Sequence, residues 1–310
     1  MENQNLYIFS FSKYLLHIII MIILIGFTLS FAFQNLVIFS SQTNGASKVN
    51  KILSETLITE IPIFGSSRAL RNFVPSEIDE NCFNYGIDGA QANIWLFFLE
   101  QELKKKKSTP ILINFDLRGL VYKDGDVSNY IPNWNNVKYT LKHKDVYYYK
   151  VPFIKYYGEF EKYFNSYTNE KVNLTSMTDN GGSFLKNKLI KSKFDNLVKK
   201  RENIKTTFSL KKKLLAKLNE LISHSNRKII FVVSPYHKSF FNKFQNINEA
   251  NKYLSGLSLR ENVDVVDLRK YINDDDMFFD PMHLNYKGSI KFTRRLKEEL
   301  RLLIKDGDSQ

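Results

Sequence analysis

The chain has 310 residues, a formal charge of +13, and 43% hydrophobic and 14% aromatic residues, enough for one large or two small domains with a real core. Its single cysteine, Cys82, excludes an internal disulfide and any multi-cysteine zinc site. No zinc finger, aromatic RNA-binding signature or basic heptad array accompanies the positive charge, which argues against a nucleic-acid partner.

From Tyr14 to Phe33 there is no Asp, Glu, Lys or Arg. About 20 apolar residues span a hydrocarbon core of roughly 30 Å. The apolar region of a cleaved signal peptide runs to about 7–15 residues. This one is longer and no small-x-small site follows closely, so residues 1–39 are read as a tail and an uncleaved anchor that meets membrane lipid through residues 14–33. Lys13 precedes the segment while Lys48 and Lys51 follow it, so the lysine distribution does not favour a cytoplasmic N-terminus. An N-terminal signal anchor still implies a single-pass protein of the cell membrane with an extracytoplasmic domain, because large domains translocate largely regardless of charge.

Residues 40–57, with Ser40, Ser41, Gly45 and Ser47, read as a polar linker before a domain at 58–310. Ile58–Phe64 is a predicted strand, although Pro62 suits only a strand start or edge. A short apolar piece follows at Cys82–Tyr85, then a helix over Ala90–Leu103 and a strand over Ile111–Phe115. Residues 117–205 are rich in Tyr, Asn and Lys and break the rhythm, as an insertion would. Phe208–Ile222 has apolar residues at helical spacing, Lys228–Val233 and Val263–Leu268 read as strands, and Tyr286–Ile304 closes the chain as a helix. This alternation predicts a three-layer α/β fold, a mostly parallel sheet with helices on both faces. Ligands of such folds sit at the carboxyl ends of the strands, so the insertion after the Ile111 strand would overhang the site and either select substrate or form a structural lobe with no ligand contact. Lysines at 104–107 and 211–213 either attract an anionic head group or glycan or form a solvated face.

Two short segments carry the chemistry. Gly65-Ser66-Ser67-Arg68 ends the first strand, and Asp280-Pro281-Met282-His283 precedes the final helix. A serine is a weak nucleophile until a base takes its proton, and the base works best when a carboxylate orients it. Alone, Gly-Ser-Ser is an ordinary loop and Asp-x-x-His an ordinary turn or cap. Their joint order, each beside its strand or terminal helix, points to a Ser67–His283–Asp280 triad.

These residues resemble the SGNH, or GDSL-like, hydrolase superfamily, whose flavodoxin-like fold matches the predicted architecture. The resemblance covers roughly residues 58–116 and 226–304. Gly65-Ser66-Ser67 stands where the family has Gly-Asp-Ser, which implies Ser67 as nucleophile and Ser66 in place of the family's Asp. Asn84-Tyr85-Gly86-Ile87-Asp88-Gly89 corresponds to the second block, implying an oxyanion hole built from the backbone amides of Gly86 and Ser67. Asp280 and His283 match the last block. The third block departs: the strand runs into Asn114-Phe115-Asp116-Leu117-Arg118, where Asn114 reads as inside the strand and Asp116 would repel an oxyanion. Either Asn180 or a backbone amide of the insertion then substitutes, or the enzyme is slow or catalytically inactive. The chain is most similar to the membrane-anchored Gly-Ser-Ser subset, which looks like proteins of cell-envelope polymer acylation, including teichoic-acid alanylation and alginate acetylation. That implies a serine esterase or O-acyltransferase acting on an acyl, chiefly acetyl, ester of a cell-envelope or capsular polysaccharide. Its partners would be an acyl donor, a glycan and a membrane-bound acyltransferase, with no cofactor and no metal. The alternative is a catalytically inactive binding or assembly protein on the same fold.

Two further residues are candidates for touching substrate. Arg68 could bind an anionic group or pair with a carboxylate, and His237, after the strongest strand, could contact substrate or cap a helix. Asp274-Asp275-Asp276 has no companion ligands and reads as a solvated loop.

Overall fold

The computed structural model describes residues 2–121, 127–130, 132, 134–140, 156, 159–172, 176–186, 191–200 and 206–307. It opens with helix α1 (Glu2–Phe33), continued by a π-helical turn at Gln34–Ile38. Residues Phe11–Ile38 form a helix long and apolar enough to cross a membrane, with its apolar side chains exposed.

Five parallel strands make the central sheet: β1 (Ile61–Phe64), β2 (Cys82–Asn84), β3 (Ile111–Asn114), then Ile229–Val233 and Val263–Asp267. The last two strands become β6 and β7 once the insertion's hairpin is counted, and the spatial order is β2-β1-β3-β6-β7. Successive strand residues point to opposite faces, and both faces are buried here. Phe64, Ile111, Ile113, Ile229, Phe231 and Val233 pack on one side against helices α2 (Gly45–Ser54), α4 (Ala92–Leu103), α6 (Lys212–Ser223) and α7 (Ile247–Leu257). Ile63, Leu112, Ile230 and Val232 pack on the other against α3 (Ser67–Asn72) and α8 (Tyr286–Gly307). Two covered faces explain why these strands read as continuous apolar runs. Pro62 is the second residue of β1, close to the strand start despite β1 lying between two neighbours.

The segment read as a polar linker contains α2. Asn44 caps it by accepting from the Ser47 amide, and Val49 and Ile52 enter the core. Its small polar residues concealed the amphipathic spacing. The lysine run is not simply a solvated face either: Lys107 and Lys105 turn inward to Glu102, at 3.2 and 2.8 Å.

None of the described residues of 117–205 joins the five-stranded sheet. They form α5 (Phe160–Val172), a hairpin of β4 (Ser176–Asp179) and β5 (Gly182–Leu185), and a helix at Lys191–Lys200. The hairpin turn docks on the open edge of β2, where the Asn84 amide donates to the Asn180 carbonyl at 2.8 Å. Near the C-terminus, β8 (Phe278–Asp280) and β9 (His283–Leu284) pair antiparallel just before α8.

Candidate active site

Gly65 turns the chain from β1 into α3 with φ of +149°, a conformation that favours glycine, and a Cβ there would lie 2.8 Å from that of Ala69. Ser67 is thereby delivered as the first residue of α3, at the carboxyl end of the sheet. The β8–β9 turn brings His283 to it across 216 positions of sequence, with Nε2 2.9 Å from Ser67 Oγ. The other ring nitrogen, Nδ1, lies 3.0 and 3.1 Å from the two carboxylate oxygens of Asp280. A carboxylate only accepts, so Nδ1 carries the hydrogen and Nε2 faces the hydroxyl as an acceptor. Asp280 Oδ1 also accepts the amides of Met282 and His283, at 2.7 and 2.9 Å. Burial opposes ionisation of this carboxyl, but the contact with His283 and the two amides outweigh it and hold its pKa below the ordinary value. The side chains of His283 and Asp280 keep 17% and 19% exposure, so the site is open to solvent at its rim.

Arg68 turns into the protein. It is fully buried, donates to the carbonyls of Met282, Ser234 and Pro235 and to Ser234 Oγ at 2.5–2.9 Å, and lies 3.4 Å from the centre of the Tyr236 ring. It ties the loop carrying His283 to the end of β6. Asn72 adds to this brace by accepting the Leu284 amide at 3.1 Å and donating to Ser234 Oγ at 3.1 Å. Asn285 caps α8 by accepting the Gly288 amide at 3.0 Å.

His237 is not aimed at Ser67 either. It caps the short helix Lys238–Phe241, meets Asp275 at 3.1 Å, and its ring lies edge-on against Phe194 and Phe278. His237 thus fills the expected capping role. The neighbouring acidic run behaves as a turn, in which Asp274 caps Asp275–Met277, and no metal-binding group of His, Cys, Asp or Glu occurs among the described residues.

The proposed oxyanion donors differ in availability. Ser67 stands at the first position of α3, whose backbone N–H has no intrahelical partner. The Gly86 amide is already donated to Asn84 Oδ1 at 2.8 Å, so its expected role requires that bond to be exchanged. Gly86 is packed closely: a Cβ would come 2.4 Å from the Leu70 amide nitrogen. Asn180 belongs to the hairpin turn and engages β2 through its carbonyl. Asn114, set aside in the sequence as a strand residue, is the last residue of β3 and buried against Gly65, with both side-chain polar atoms lacking hydrogen-bond partners. Ser66 Oγ is buried and unpartnered as well. Asp116, expected to repel an oxyanion, is neutralised by Arg118 at 2.8 Å and accepts the Tyr236 hydroxyl at 3.2 Å. Burial pushes its pKa up, the Arg118 charge and hydrogen bond pull it down further, and the result is about 2.

One buried group escaped sequence reasoning altogether. Lys48 of α2 is fully buried and donates to the carbonyls of Gly86 and Gly181, at 2.5 and 2.6 Å. It pins the loop after β2 to the hairpin of the insertion. A lysine in an apparent linker offers no such signal.

No family model and no curated protein matches the chain. Among solved structures, a Streptococcus pneumonia chain described as "a putative platelet activating factor" aligns over 86% of this chain and 96% of its own, at 12% identity and a TM-score of 0.40. A likeness that weak carries no argument about activity. The chemistry rests on the site's own geometry.

Proposed function

We propose that the chain is a membrane-anchored serine esterase or O-acyltransferase acting on an acyl ester of a cell-envelope or capsular polysaccharide. The single observation behind this reading is the Ser67–His283–Asp280 relay, with its hydrogen bonds of 2.9 and 3.0 Å. His283 Nε2 takes the Ser67 proton as Oγ attacks the ester carbonyl, and Asp280 stabilises the imidazolium that forms. The Ser67 amide receives the developing oxyanion, and Asn114 is an uncommitted amide beside the nucleophile turn. Collapse of the tetrahedral species expels the alcohol, which takes its proton from His283, and leaves an acyl-serine. Water then yields an esterase product; a sugar hydroxyl yields a transferred ester. The apolar helix anchors the domain at the cell membrane, facing the polymer on the extracytoplasmic side, where a membrane-bound acyltransferase could pass it acyl groups.

A fluorophosphonate probe tests this directly. Labelling lost in Ser67→Ala and kept in Ser66→Ala is the expected result. A second reading, a non-catalytic binding or assembly protein, draws on the Gly86 amide being engaged by Asn84. Absence of labelling in the wild-type chain favours that reading. Protease accessibility in intact against lysed cells checks the side of the membrane.

A further inference from the structure

A cavity of about 440 Å³ opens next to the nucleophile helix. It falls within the roughly 300–1,000 Å³ of small-molecule sites. Its wall includes Arg71 of α3, four residues after Ser67 and therefore on the same helix face. Asp88, two residues beyond Gly86, forms another part. The insertion closes the opposite side with Lys162 and Tyr163 of α5 and Thr178 of β4, and Tyr130 completes it. An acetyl group, with two carbons, would leave nearly all of this space empty.

We infer that this cavity holds the sugar portion of the ester, and that the sugar is a neutral, hydroxyl-rich glycan unit. The inference rests on the serine-ester reading and adds the location and charge class of the substrate. Tyrosines supply flat apolar faces with a polar edge, and the hydroxyls of Ser166 and Thr178 beside them suit recognition of sugar hydroxyls. The charge argument selects the class. Arg71 is paired with Asp88 at 3.2 Å and also donates to the Ser183 carbonyl and hydroxyl, while Lys162 is paired with Glu159 at 2.6 Å. Each cation already faces a carboxylate, so an acidic polymer gains little here despite the chain's net +13.

The cavity also borders the membrane anchor. Thr43 and Asn44 line it a few residues after the helix ending at Ile38. On the same side, Phe160 stacks on Phe33 with centroids 4.6 Å apart, and Phe160 and Phe164 are about half exposed, at 52% and 46%. The glycan thus docks close to the bilayer surface, between the anchor and Ser67. A second depression of about 970 Å³ beside Asn251, Arg269 and Tyr271 has no residue of α3 or of the loop after β2 in its wall, whereas the 440 Å³ cavity is walled by Leu70 and Arg71 of α3 and by Ile87 and Asp88 of that loop.

The test uses the full chain in detergent or nanodiscs. Ser166, on α5, lines the cavity without entering the proposed chemistry, so Ser166→Trp fills it. With acetylated neutral oligosaccharides of glucose, mannose and N-acetylglucosamine, KM should rise at least tenfold in this variant for the sugar that is used. Turnover of 4-nitrophenyl acetate and fluorophosphonate labelling of Ser67 should stay within twofold. Equal effects on the oligosaccharide and the small ester, or none on either, overturn the subsite. Binding is read separately by calorimetry on Ser67→Ala, which does not depend on catalysis. A neutral oligosaccharide should bind that variant and lose at least tenfold in affinity when Ser166→Trp is added. Stronger binding of tetragalacturonate, or no binding of any neutral sugar, overturns the assignment. Failure of the wild-type chain to label at Ser67 counts against the serine-ester reading instead and leaves the calorimetric result to decide the subsite.

Discussion

The two ends of the central sheet bury different kinds of polar group: ion-paired charges at one, neutral groups at the other. At the amino ends of the strands, Glu102 is fully buried and gathers Lys105, Lys107 and Arg227 within 2.8–3.2 Å, while Glu60 meets Lys51 at 3.0 Å. At the carboxyl ends, Ser66 and Asn114 are buried without hydrogen-bond partners, and Ser67 makes its one side-chain bond to a histidine that accepts its proton. Charged groups meet as ion pairs at one end, where Glu102 Oε2, Lys105 Nζ and Lys107 Nζ lack hydrogen-bond geometry, and neutral polar groups without any partner lie at the other. Leaving buried polar groups without hydrogen bonds costs stability; at the carboxyl end those groups are neutral and flank the nucleophile turn, where they can meet a substrate. The braces of Arg68, Asn72 and Lys48 surround the reactive end and hold its loops without using Ser67 or His283.

This contrast can be broken most forcefully at the relay. Ser67→Ala or His283→Ala should reduce ester turnover by about 10³–10⁴-fold or more, with the midpoint of urea unfolding nearly unchanged. Loss of turnover that tracks loss of fold would assign these residues to the scaffold instead. The opposite pattern is expected for Glu102→Ala. It strands the buried Lys107 and Arg227 and the largely buried Lys105, costing about 3–5 kcal/mol, while turnover per folded molecule is kept. Denaturant titration alongside active-site titration separates the two quantities.

Asn114→Leu sharpens the comparison at the reactive end. Removing an unpartnered amide should leave stability equal or slightly higher. If the amide contributes to the oxyanion hole, turnover falls by about 10²–10³-fold; unchanged turnover removes Asn114 from the chemistry. The smallest effect is in acid. Asp116 titrates at about 2 in the folded chain against an ordinary 3.8. A depressed folded pKa adds stability that is complete above the ordinary value and lost as pH falls through the folded one. The contribution is about 1–2 kcal/mol after allowance for the 37% exposure of the Arg118 side chain. Wild type and Asp116→Asn should therefore differ in thermal stability at pH 5, and the difference should shrink between pH 4 and pH 2. A gap at pH 2 as large as that at pH 5 contradicts this account.

The β-strands and major helices were legible because their patterns are local. Ile111–Asn114 and Ile229–Val233 are short apolar runs buried on both faces, and α6 and α8 show their apolar stripes one turn at a time. Helix α2 was not, because its short mixed sequence declares itself only when Val49 and Ile52 find the core. The functions of single polar residues were least legible. Arg68 and His237 carry the chemistry of ligand-binding groups, yet one is stacked on Tyr236 and the other clamped between Phe194 and Phe278.

What the sequence determined by itself is the alternation of strands and helices, the apolar N-terminal helix and the three residue types from which a serine relay can be made. These follow from backbone periodicity and side-chain chemistry, which are properties of neighbouring residues. Only the tertiary structure decided that Ser67 and His283 lie 2.9 Å apart, that Gly86 is engaged by Asn84 and that Lys48 joins two loops. Those contacts link positions up to 216 residues apart. The packing of strands, helices and loops sets them, and no local pattern in the chain encodes it.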